Sequence, residues 1–101
     1  MFRQGFTLIR QRLILGFFLV MMGCVTLPTQ EMSDARQALA AAESVNAGVL
    51  APETYSEAKR MLRSAEKSLR KRNYSLARRD ALRAKELAMQ ARRAALSDEE
   101  P

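Results

Sequence analysis

The chain has 101 residues, 17 Lys and Arg against 11 Asp and Glu, and no His, which gives a formal charge of +6. That length allows one small domain. With one Cys and no His, an internal disulfide and a zinc site of the ordinary kind are both excluded. Composition then divides the chain near residue 24. All four Phe and three of the four Gly lie in the first 23 residues, whereas residues 24–101 contain every Ala and only Tyr55 and Tyr74 as aromatics. A segment with so little bulky apolar surface folds marginally unless its helices pack very regularly or an anchor or partner supports it.

The first element is an export leader. Arg3, Arg10 and Arg12 precede an uncharged run of 15 residues from Leu13 to Leu27. The run is shorter than the roughly 20 residues of a comfortable membrane span, and the positive charge lies on its N-terminal side. No Ala occurs before Ala35, so the small-residue site of an ordinary signal peptidase is missing. Met21-Met22-Gly23-Cys24 stands there instead and resembles a bacterial lipobox. The resemblance implies a signal peptide over 1–23, cleavage between Gly23 and Cys24, and acylation of Cys24. In that class an Asp after the Cys commonly retains the protein in the inner membrane, so Val25 points to the outer membrane, with the domain in the periplasm. An uncleaved single-span anchor at the inner membrane is the alternative. Gly5-Phe6-Thr7-Leu8-Ile9 is also similar to the start of a type IV prepilin, but Arg10-Gln11-Arg12 interrupts the apolar helix which that reading needs.

A lipidated tether over 24–32 leads into a helical domain over 33–98, with helices expected at about 33–46, 52–71 and 74–97. Ser33 is the expected cap of the first, which carries Ala35, Ala38, Leu39, Ala42 and Val45 at helical spacing. Asn46 to Ala51, with Gly48, ends it, and Pro52 opens the second. Tyr55, Ala58, Leu62, Ala65 and Leu69 then alternate steps of three and four, as do Tyr74, Ala77, Ala81, Ala84, Ala88, Ala91 and Ala95. Such seams are the pattern of helix-to-helix contact. The step of five from Leu69 to Tyr74 would rotate the stripe of one continuous helix by about 140°. A turn at Arg70 to Asn73 removes that conflict, with a single long kinked helix as the alternative. Leu82, Met89 and Leu96 flank the last seam on one side, and Leu76, Leu87 and Ala94 on the other, which suggests two neighbours for that helix. The fold class is therefore all-α: an alanine-seamed antiparallel hairpin or a small three-helix bundle.

The lipobox, the run Ala51-Pro52-Glu53, the spacing Ala58, Leu62, Ala65, and the spacing Tyr74, Ala77, Ala81, Ala84 together resemble a bacterial lipoprotein family known as domain of unknown function 4398. The resemblance covers most of residues 33–95 and implies a helical module of the envelope with no assigned activity.

Charge is segregated. Residues 24–57 carry a net −4, residues 59–93 a net +10, and residues 94–101 a net −3. Arg63, Arg70, Lys71, Arg72, Arg78, Arg79 and Arg83 read first as a solvated helix face, while Arg78, Lys85 and Arg92 recur every seven residues and extend along the helix contact. Arg70, Lys71 and Arg72 stand apart among them, because they crowd a turn and form a candidate site for an anionic partner: envelope polymer, phospholipid headgroups or an acidic protein. The functional expectation is a non-catalytic structural or interaction module, attached to the membrane by lipid, with peptidoglycan or an envelope protein as partner and self-association left open by the seams. A cytoplasmic nucleic-acid binder is the rival that composition permits and the export leader opposes, so no nucleic-acid partner is expected. No catalytic residue, metal site or cofactor is expected, since no nucleophile and base can be paired and no Gly-rich phosphate loop occurs.

Overall fold

A computed structural model describes residues 27–99, with side chains to residue 97, and within that range the chain is helical except at its turns. Helix α1 spans Thr29–Ser44, a single turn α2 spans Ala47–Leu50, α3 spans Pro52–Arg70, and α4 spans Tyr74–Glu99. The two long helices form the expected hairpin, and α1 adds the third member of a small all-α bundle.

Helix α4 is the spine. Its six seam alanines, Ala77, Ala81, Ala84, Ala88, Ala91 and Ala95, are all completely buried, as are Ala58 and Ala65 of the α3 seam, while Ala94 is exposed. Alanine lets helix backbones approach closely, but each buried methyl contributes only about 0.8 kcal/mol, so stability rests on regular close packing. Larger side chains fill the edges in three layers. Met32 and Ala35 meet Ala65, Ala81 and Ala84, with Met61, Leu62 and Leu69 against them. Leu39 meets Ala58, Leu87 and Ala88. Ala42 and Ala47 meet Ala91 and Ala95, closed by Val45, Leu50, Ala51 and Tyr55. The layers climb together along α1 and α4 and downward along α3, so α1 is parallel to α4 and antiparallel to α3.

Three expectations need correction. First, α1 starts at Thr29 rather than at Ser33. The Pro28 carbonyl accepts the Met32 amide at 3.0 Å, and Pro28 is itself fully buried. Ser33 caps nothing; its Oγ accepts from Gln37 Nε2 within the helix. Burial of Met32 against α3 and α4 draws in the turn that the sequence assigned to a tether. Second, Asn46 to Ala51 is not merely a break. Asn46 turns the chain in the left-handed region at φ 63°, and α2 follows with its Gly48 packed 3.4 Å from the Tyr55 ring, measured from the position a Cβ would take. Third, α4 does have two neighbours, α1 and α3, but Leu82, Met89 and Leu96 lie outside both contacts and are 39–47% exposed. The outer bounds shift slightly as well, with α3 ending at Arg70 and α4 reaching Glu99.

Candidate functional site

The basic turn is built by a helix end that closes on itself. At the C-terminus of α3 the Arg72 amide donates to the Leu69 carbonyl at 3.0 Å and the Asn73 amide to the Ser68 carbonyl at 2.9 Å. This pair of bonds is the Schellman arrangement, which places the residue after the cap in the left-handed region. Glycine usually stands there, but here it is Arg72, at φ 62°. Asn73 then starts α4: its Oδ1 accepts the Leu76 amide at 3.3 Å and its carbonyl accepts the Ala77 amide at 3.0 Å.

Arg70, Lys71 and Arg72 are all exposed, and none forms an ion pair among the described residues. Arg70, in the last turn of α3, faces the negative end of the helix dipole, which is a sufficient structural reason for a cation there. That reason does not extend to Lys71 and Arg72, which lie beyond the helix. No acidic residue occurs from Lys67 to Arg79, so nothing in the adjoining chain neutralises the cluster.

Arg63, Lys67, Arg92 and Arg93 are likewise exposed and form no ion pair among the described residues, but they do not crowd a turn, and three further basic residues are engaged across helices. Arg78 pairs with Glu31 at 3.3 Å and Lys85 with Asp34 at 3.9 Å, both tying α4 to α1, while Arg36 pairs with Glu66 on α3 at 3.6 Å. These pairs are partly exposed and each contributes at most about 1 kcal/mol, but together they fix the register of α1. Glu31 opposite Arg78 sets the first turn of α1 within about two helical turns of Asn73. The N-terminal end of the bundle and the basic turn therefore lie at the same pole. Gly23 and Cys24, the proposed cleavage and lipidation residues, fall outside the described residues.

One polar feature escaped the sequence reading. Asp80 is only 4% exposed, and its Oδ2 accepts the Ser64 hydroxyl at 2.8 Å across the α3–α4 contact while Arg79 Nε lies 3.7 Å from Oδ1. The signal was present in the positions: Ser64 and Asp80 each immediately precede a seam alanine, Ala65 and Ala81. At the opposite pole, burial and then the charge of Glu43 push the Tyr55 hydroxyl above its ordinary pKa of 10.0. Lys59 Nζ stands 5.6 Å from the centroid of that ring.

Among the described residues no cluster of His, Cys, Asp or Glu is placed to hold a metal ion, and no helix is long and apolar enough to cross a membrane. What fold and site define is a small helical bundle with an alanine core and one cationic pole. The family described as Domain of unknown function (DUF4398) matches residues 30–100, and the chain belongs to it. No curated protein and no solved structure matches the chain.

Proposed function

We propose that the chain is a lipid-anchored, non-catalytic helical module of the bacterial cell envelope, held at the outer membrane through Cys24 with its bundle in the periplasm and its basic residues turned to anionic envelope components. The observation that carries this reading is the leader: arginines, then an uncharged run too short for a comfortable span, with Gly23-Cys24 near its end and only a few residues ahead of the bundle. The absence of His and the presence of a single Cys support a binding or structural role over catalysis. Structural, peptidoglycan-contacting and protein-contacting roles all share this anchor and this charged pole.

The test is the intact mass of the protein extracted from membranes, with a Cys24→Ala variant in parallel. A species that begins at Cys24 and carries acyl mass, lost in the variant, is the expected result. A chain that retains Met1 and carries no acyl mass overturns the lipoprotein reading in favour of an uncleaved anchor.

A further inference from the structure

We propose that the α3–α4 turn, through Arg70, Lys71 and Arg72, docks on the anionic phospholipid surface to which the chain's own N-terminal end is attached. The inference rests on the reading of the chain as membrane-anchored and adds which surface the basic pole meets. Topology carries it. Because α1 runs parallel to α4, the first turn of α1 lies beside the second and third turns of α4, as the Glu31–Arg78 pair and the cluster of Met32 with Ala81 and Ala84 establish. Chain length does the rest. Four peptide units separate Cys24 from Pro28, so the anchor lies at most about 14 Å from the point where the bundle begins. A bundle held that closely by this pole presents the turn to the lipid surface and its other pole away from it.

Charge gives the orientation a sign. The turn carries three exposed cations with no ion-pair partner among the described residues, while the helix ends of the far pole mix charges, Glu43, Glu53 and Glu57 (the last paired with Arg60 at 3.6 Å) standing with exposed Arg92 and Arg93. Attraction to an anionic leaflet decays within about 8–10 Å at ordinary ionic strength, a distance comparable with the tether, so a cationic turn at the anchored pole acts where the same charges at the far pole would not. Exposed Leu27 at this pole adds an apolar contact beside the cations. A cell-wall polymer remote from the membrane would face the free pole, where cations and carboxylates are mixed.

The sequence contains no Trp, so a single introduced Trp reports position cleanly. Ser75→Trp marks the turn and Val49→Trp, at a site 71% exposed, marks the far pole. The full chain, extracted from membranes and reconstituted in vesicles of phosphatidylglycerol and phosphatidylethanolamine with a nitroxide on the lipid headgroup, should show strong quenching at Ser75→Trp and little at Val49→Trp. Quenching at the turn should weaken in phosphatidylcholine vesicles and at high salt. Each basic residue near an anionic surface shifts the docked-to-undocked ratio about fivefold, so Arg70→Gln, Lys71→Gln and Arg72→Gln together should lower it on the order of 100-fold. Equal quenching in neutral vesicles, an unaffected triple variant, or transfer of the turn from vesicles to added peptidoglycan sacculi would each overturn the proposal. The anchor is read separately from the intact mass of the same preparation. An unacylated chain, held by its apolar N-terminal run, would sink the lipoprotein reading while the quenching contrast still decides the turn.

Discussion

The Ser64 hydroxyl on α3 donates a 2.8 Å hydrogen bond to the Asp80 carboxylate on α4, beside the seam alanines Ala65, Ala81 and Ala84. A nearly buried carboxylate that loses a donor keeps its full desolvation cost, so Ser64→Ala should destabilise the bundle by about 1–3 kcal/mol. The two residues form one unit, and a double-mutant cycle with Asp80→Ala measured by urea unfolding should give a coupling of about 1 kcal/mol. Additive single effects would show that the bond contributes nothing specific.

Arg72 occupies the left-handed position of the Schellman turn without the freedom of glycine. Removing the Cβ there relieves strain but also enlarges the unfolded ensemble, so the net effect of Arg72→Gly is a gain of up to about 1 kcal/mol. Arg72→Val, branched at Cβ, should lose stability at the same site. Thermal melts followed by circular dichroism would rank the three proteins, and a glycine variant less stable than the parent would contradict the turn geometry.

The seam makes a sharper claim. Ala84 is completely buried between α4 and its neighbours, whereas Arg83 is exposed and, among the described residues, pairs with Glu86 one turn away at 3.3 Å. Ala84→Glu buries an unpaired charge and should cost more than 3 kcal/mol, enough to unfold a marginal bundle; Arg83→Glu should cost under about 1 kcal/mol. Equal melting temperatures for the two variants would dismiss the seam.

Tyr55 links stability to alkaline pH. Its proton is held more tightly in the fold than in the unfolded chain, so its contribution is fully present below pH 10.0 and is lost as pH rises through the higher folded value. The parent should therefore lose more stability than Tyr55→Phe above pH 10. The two proteins, compared by denaturant unfolding at neutral and alkaline pH, should diverge only in the alkaline set.

These predictions draw unevenly on what was legible in the sequence. Period and punctuation revealed the long helices, because alanine at steps of three and four has one physical meaning and Pro52 and Asn73 mark their starts. The step of five at Leu69 to Tyr74 correctly separated α3 from α4. The start of α1 was not legible, since local rules favour Ser33 as a cap while the deciding events, burial of Met32 and pairing of Glu31 with Arg78, are long-range. Asp80 was passed over for a similar reason: an acid beside a seam reads as solvated until the opposing Ser64 is placed against it. For the candidate site, Arg70, Lys71 and Arg72 stood out as a cluster, but their position at the same pole as the N-terminal end depends on α1 running parallel to α4, which charge patterning does not encode.

That parallel arrangement also determines how the molecule bears load. Residue 27 leaves the bundle at one pole and residue 99 at the other, so a pull between them is directed along the helix axes. Helix α1 would have to slide past α4, straining the three core layers and the Glu31–Arg78 and Asp34–Lys85 pairs together instead of peeling them apart in succession. Tension applied across these ends meets the bundle in shear, the direction in which many small contacts resist at once.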